Sequence, residues 1–156
     1  MPEDFYEKLP MFYAAAAVII TDRGGRVLLA KPNYRDGWLI PGGYVEPDEH
    51  PHQAAARELR EELALSVPIG RLLVVDWSMP RDGRPRSVVN LVFDGGVIEP
   101  PAGGFILQRE ELDDARFVPV DETATLLPPH IAPRVPAALR ARESGDTVYL
   151  ADGSAP

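Results

Sequence analysis

The residues best placed to do chemistry in this chain are three carboxylates, Glu58, Glu61 and Glu62. Spacings of three and four residues put them on neighbouring positions of one helical turn, where side chains meet. Each like-charged pair at that spacing costs about 0.2–0.5 kcal/mol, so a helix shaped only for stability would alternate its charges. Two readings account for the cluster. In one it is a solvated acidic face relieved by Arg57 and Arg60. In the other the carboxylates gather a cation: hard oxygen donors with no His or Cys among them suit Mg2+ or Mn2+, which keep their water and bind phosphate oxygens in the same shell. The chemistry implied by the second reading is metal-assisted attack on phosphorus.

Composition narrows the partners. A formal charge of −8 argues against polymeric nucleic acid, whose binders need a basic face to displace counterions. A small phosphate ligand approaching such a protein needs a positive intermediary, and a divalent cation supplies one. The chain has no cysteine, which excludes disulfides, thiolate catalysis and cysteine-bound zinc and agrees with a cytoplasmic location. The apolar run Ala14 to Ile20 falls far short of the ~20 residues of a membrane helix. The acidic start Met1-Pro2-Glu3-Asp4 is unlike a signal peptide, so neither membrane nor export is expected. At 156 residues, 45% hydrophobic and 26% charged, the sequence is expected to form one domain over 1–156, with the tail 151–156 frayed.

The acidic cluster needs elements to hold it. Asp48 is a candidate cap and Pro51 suits a first turn, which predicts a helix running to about Leu63. Ala55, Ala56, Leu59 and Leu63 form its packing stripe, with Glu58, Glu61 and Glu62 on another face. Upstream, Ala14 to Thr21 and Val27 to Ala30 read as a hairpin around Asp22-Arg23-Gly24-Gly25. Trp38-Leu39-Ile40 reads as a short strand ended by Pro41-Gly42-Gly43. Downstream, strands are expected over Val67 to Trp77, Ser87 to Phe93 and Ala115 to Val120, the first two joined by the turn Arg81-Asp82-Gly83-Arg84-Pro85. A final helix is expected over Pro133 to Arg142.

From Gly43 to Leu65 the chain resembles the Nudix box, Gly-x5-Glu-x7-Arg-Glu-U-x-Glu-Glu-x-Gly-U with U an apolar residue. Gly43, Glu49, Arg57, Glu58, Leu59, Glu61, Glu62 and Leu65 match, and Ala64 stands where the pattern has glycine. Trp38-Leu39-Ile40-Pro41-Gly42 also looks like the family's approach to the box. The resemblance implies an α/β fold, a Nudix-like α/β/α sandwich with a mixed β-sheet. It implies a hydrolase that cleaves, with Mg2+ or Mn2+ and water, the diphosphate linkage of a small nucleotide-type substrate such as an NTP or ADP-ribose. By the same analogy Glu58 and Glu62 ligate metal, Glu61 shares in the ligation or activates water, the Gly42 carbonyl completes the shell, and Arg57 and Glu49 orient helix and loop. Alanine at position 64 is expected to strain or shift a left-handed helix cap without removing a carboxylate.

Other positions carry two readings each. Glu111, with Glu110 beside it, sits where family members often place another acidic residue, and is either a base or extra ligand or a solvated loop carboxylate. Arg81, Arg84 and Arg86 either clamp a phosphate or keep a hairpin tip soluble. Trp77, Tyr34 and Phe12 either stack on a base or belong to the core. His50, His52 and His130 are expected at the surface. Pro80, fifteen residues after Leu65, resembles a spacing of ADP-ribose-cleaving members, against a background of 17 prolines. The apolar segment Phe5 to Tyr13 either pairs two copies as a homodimer or covers its own core. Two rival functions share the scaffold: a non-catalytic nucleotide sensor, which would not need all three glutamates, and an isoprenoid diphosphate isomerase, which commonly uses a cysteine that this chain lacks.

Overall fold

Apolar, partly β-branched residues on either side of a polar turn give the chain its first hairpin. In the structure, a computed structural model that describes residues 1–81 and 83–156, β1 (Tyr13–Thr21) and β2 (Val27–Pro32) are antiparallel. Asp22 closes the turn, its carboxylate accepting from the Arg26 amide at 2.9 Å and from Arg26 Nε at 2.7 Å. Five further strands follow: β3 (Gly42–Tyr44), β4 (Leu72–Ser78), β5 (Val88–Val97), β6 (Leu112–Val118) and β7 (Val148–Ala151). Among the described residues they form one mixed sheet in the order β6-β2-β1-β5-β4-β7, with β3 paired to β1. The β1–β5 and β4–β7 pairs are parallel and the rest antiparallel.

Strand side chains alternate between faces, and β1 shows what each face packs against. Ala16, Val18 and Ile20 meet α1 (Pro51–Leu63), through Ala54, Ala55, Leu59 and Leu63. Ile19 faces the other way, into a core closed by α2 (Val120–Leu126) and α3 (Arg134–Ser144). The result is an α/β/α sandwich with a mixed sheet. No described helix is long and apolar enough to cross a membrane.

Several sequence expectations are corrected. Trp38 and Ile40 are buried, yet of the predicted third strand only Leu39 pairs, in a single bridge to Ala30. The strand proper comes later, at Gly42–Tyr44, so hydrophobicity reported burial there and not pairing. The strand expected from Val67 starts only at Leu72; Val67 and Ile69 lie outside any strand, partly buried against the core on the α1 side of the sheet. The helix start is His50, not Asp48, which sits in the preceding turn at φ 65°. Asp82, part of the expected 81–85 turn, lies outside the described residues. Within the tail 151–156, Asp152 N donates to the Trp77 carbonyl at 2.9 Å and Ala151 and Ser154 exchange backbone hydrogen bonds.

Candidate active site

Helix α1 presents the acidic cluster because both its ends are fixed. At the start, His50 has extended backbone, Pro51 occupies a position whose amide needs no partner, and the Gln53 side chain accepts from the His50 amide at 2.7 Å. At the end, Ala64 adopts the left-handed conformation, φ 52°, with its amide on the Arg60 carbonyl and the Leu65 amide on that of Leu59. The cap therefore stays where a glycine would put it, and alanine carries roughly 1–2 kcal/mol of local strain. With Leu59 and Leu63 directed into the core, Glu58 lies half-sheltered, Glu61 outside and Glu62 buried at the rim.

Arg57 organises these charges. Its Nη2 donates to Glu49 at 2.7 Å and to the Tyr44 carbonyl at 3.1 Å, and its Nη1 to Glu58 at 2.9 Å and Glu61 at 3.1 Å. The Arg57 hydrogen bonds hold the Glu49 carboxyl below its usual range. The solvated-face reading thus has part of the truth, since an arginine does relieve Glu58 and Glu61. It fails at Glu62. Oε2 of Glu62 is buried with no hydrogen-bond partner among the described residues. Burial, then the neighbouring Glu58, push this carboxyl up to about 8, and a contact with the Gly42 amide offsets that only in part. Burial also raises Glu58, with Arg57 pulling it down and Glu61 and Glu111 adding to the rise. As the side chains stand, no three acidic or imidazole groups among the described residues close on one point. The donor set nonetheless fits a hard divalent cation: an orphaned buried oxygen on Glu62, and one oxygen each of Glu58 and Glu61 not bonded to Arg57. Gly43 lies so close that a Cβ there would stand 2.3 Å from Glu58 Oε1.

Beside this acidic edge runs a cleft of opposite charge. Its inner part, about 220 Å³, has Ala15 and Ala17 among its walls and passes Gly42 and Gly43. Its outer part, about 780 Å³, is lined by Arg35, Arg81, Arg84, Arg134, His130 and Tyr34, among others, and by no carboxylate among the described residues. Tyr34, Arg35 and Arg134 border both parts. Burial, then the charges of Arg81, Arg134, Arg35 and Arg84, hold the His130 imidazole below its usual value. At the seam, burial and then Glu62 raise the Tyr34 hydroxyl, with Glu111 and Glu58 adding to the rise against Arg35. A ligand lying along the cleft would have one end at Gly42 and Gly43, which neighbour Glu62 and Glu58, and the other among guanidinium groups.

The structure brings together Glu58, Glu61, Glu62, Gly42, Arg57 and Glu49. It sets Glu111 within electrostatic reach of Glu58 and Glu62, at the end of a loop tied to α1 by the Gln108 amide on the Glu62 carbonyl, 2.9 Å. Arg81, Arg84 and Tyr34 line the cleft. Trp77 and Arg86 stand apart. Asp76 and Ser78 face the α3 side, so Trp77 between them points the other way and packs on Phe12, with ring centroids 5.1 Å apart. The Arg86 guanidinium lies over the Tyr13 ring at 5.8 Å. His130, expected at the surface, is a partly buried wall of the cleft. Sequence reading missed Arg35, Arg134 and the buried Asp76 that holds Arg134.

Comparison with known proteins agrees with this geometry. A model described as the NUDIX domain matches residues 11–139. Mouse diphosphoinositol polyphosphate phosphohydrolase 3-alpha is 37% identical over 89 residues, 56% of this chain and 51% of that protein. The chain thus spans about half the length of the curated relatives it matches. The MutT protein of Methanosarcina mazei Go1 superposes with a TM-score of 0.70 at 23% identity, covering 88% of this chain and 97% of that one. A Streptococcus suis ADP-ribose pyrophosphatase does so at 0.68 and 19%, covering 90% and 99%. These two likenesses speak to fold alone. The domain match runs through the glutamate helix and most of the sheet that holds it, and the chain belongs to the Nudix family.

Proposed function

We propose that this chain is a Mg2+-dependent hydrolase (Mn2+ serving in its place) that cleaves the diphosphate linkage of a small molecule carrying further phosphate groups, by attack of water on phosphorus. The observation that carries this reading is a buried, unpartnered oxygen on Glu62, in contact through Gly42 with a cleft that carries four arginines and no carboxylate among its described lining residues. A substrate whose far end is neutral, such as ADP-ribose, would bring these guanidinium groups no anion beyond Asp76 and Asp152, which already engage Arg134 and Arg81. A multiply phosphorylated one matches them by bidentate contacts. The name of the mouse relative points to the same class of compound.

In this reading Glu58, Glu61 and Glu62, with the Gly42 carbonyl, hold the metal. When bound, a divalent cation neutralises the diphosphate and makes water acidic enough to serve as nucleophile. Glu61 or Glu111 accepts the proton from that water. Arg57 and Glu49 fix the helix against the loop, so that the carboxylates do not have to reorganise. The setting proposed is the cytoplasm and the partner a small molecule.

At pH 7 Glu62, with its carboxyl pushed up to about 8, carries a proton in the metal-free protein. Adding Mg2+ is expected to release about one proton per chain, read as a dependence of the calorimetric heat on buffer ionisation enthalpy. Identical heats in phosphate-free buffers of different ionisation enthalpy would remove Glu62 from the metal site.

A panel of inositol diphosphate polyphosphates, NTPs, dinucleoside polyphosphates and ADP-ribose, assayed with Mg2+ and with Mn2+, tests the whole reading. The highest kcat/KM is expected for the most heavily phosphorylated compounds. Preference for ADP-ribose by about tenfold or more, some 1.4 kcal/mol, would overturn the role given to the arginines. Tight binding with no turnover of any compound would favour the sensor.

A further inference from the structure

Two arginines of the cleft are tied to consecutive residues of one turn, Arg81 directly to Asp152 and Arg134 to Gly153 through Asp76. Asp76 is fully buried, and both its oxygens are engaged: Oδ2 accepts from Arg134 Nε at 2.6 Å and Oδ1 from the Gly153 amide at 3.0 Å. Arg134 Nη2 reaches the Ser78 hydroxyl at 3.3 Å. Asp152 turns its carboxylate the other way, accepting on Oδ1 from the Met79 amide at 2.9 Å and from Arg81 Nη2 at 3.3 Å. Asp152 and Gly153 both have positive φ, 50° and 78°, in a turn closed by the Ala151–Ser154 bridge. That conformation suits Asp followed by Gly and few other pairs. A Cβ on Gly153 would stand 3.0 Å from the carbonyl of His130, itself a wall of the cleft. One short turn thus bonds Arg81 directly, reaches Arg134 through Asp76, and lies beside the His130 carbonyl.

We propose that the 151–154 turn is a positioning device for substrate recognition: Asp152 sets Arg81 over the cleft, and Gly153, through Asp76, sets the guanidinium of Arg134. Neither residue lines the cleft. They act by presenting two guanidinium groups already oriented, so that an anionic group does not have to order them on binding. The proposal rests on the reading of the cleft as the seat of the substrate's further phosphates. It adds that a segment remote in sequence from the glutamate helix governs affinity for them.

Inositol hexakisphosphate, a dense polyanion with no diphosphate to cleave, serves as the probe, its Kd measured by calorimetry at fixed salt. Asp152→Ala is expected to weaken binding roughly three- to tenfold, the range open to a half-exposed ion pair that orders its partner. Asp152→Asn, which keeps an acceptor for the Met79 amide, is expected to fall between. In an Arg81→Ala background Asp152→Ala should add less than about a factor of two, the mark of action through that one side chain. Gly153→Ala should weaken binding in both backgrounds, since its route runs through Arg134. If the wild-type protein does not bind the probe, the cleft does not hold phosphates and both the functional reading and this proposal fall; if it binds and Arg81→Ala leaves Kd unchanged, this proposal alone falls. If Arg81→Ala weakens binding while Asp152→Ala does not, or weakens it equally with and without Arg81, the positioning proposal alone is overturned. A Gly153→Ala protein that binds like the wild type overturns it too.

Discussion

Glu62→Gln is expected to lower kcat by roughly a hundred- to a thousandfold, the cost of deleting one group that stabilises the transition state electrostatically, while leaving the metal-free protein at least as stable as the wild type. Ordinary core carboxylates behave otherwise, because removing one breaks a pair. Here Oε2 has no partner among the described residues to lose, and burial already keeps the group protonated up to about pH 8. The sign of the pH effect follows. A folded-state value raised from 4.5 means that the stabilising contribution is complete below about 4.5 and is lost as pH rises towards 8. Within that window the metal-free wild type is expected to lose stability relative to Glu62→Gln by up to about 1.4 kcal/mol per pH unit. Urea unfolding in EDTA at pH 5, 6.5 and 8 measures the slope, and steady-state kinetics with saturating Mg2+ the activity. Near-native turnover, or a variant that unfolds more easily than the wild type at pH 8, would show that Glu62 is a structural acid. Glu61→Gln separates the roles further: its carboxylate is exposed and bonded to Arg57, so activity should fall with little change in the urea midpoint.

What the sequence reveals well is local. Glu58, Glu61 and Glu62 share a helix face because a repeat of 3.6 residues brings them together, and the first hairpin follows from apolar runs around a polar turn. Elements held by distant partners are harder to see. Strand β7 has four residues and owes its existence to parallel pairing of Val148 to Ala151 with Val74 to Trp77, which no local pattern announces. Helix α2 is only seven residues long, although Pro119 and the acidic first turn of Asp121 and Glu122 were a usable signal. The cleft is assembled from segments far apart in the chain, so Arg35 and Arg134 carry no shared spacing. Two misfits could have pointed to it. Asp76 interrupts the apolar run Leu72 to Val75, where a carboxylate needs a buried partner. Arg134 opens α3, where the helix dipole disfavours a cation unless another charge holds it.

That pair gives the second large effect. Arg134→Ala is expected to cost about 3–5 kcal/mol, because Asp76 would remain fully buried with only the Gly153 amide, among its described contacts, to compensate it. Lost stability alone would not show that Arg134 also meets substrate, since a buried counter-ion would behave the same. Removing both charges separates the two roles. Asp76→Leu combined with Arg134→Met substitutes apolar side chains of comparable bulk, and such replacements of buried ion pairs are often neutral or stabilising. The double variant is therefore expected to recover most of the stability lost in Arg134→Ala, read as the urea midpoint. It should still bind inositol hexakisphosphate at least about tenfold more weakly than the wild type, the scale of one lost charge-assisted contact. Arg134→Lys should lie between, because an ammonium keeps the charge but cannot span Asp76 and Ser78 as the planar guanidinium does. A double variant with wild-type affinity would reduce Arg134 to a counter-ion for Asp76. The anion-binding end of the cleft would then consist of Arg35, Arg81 and Arg84 alone.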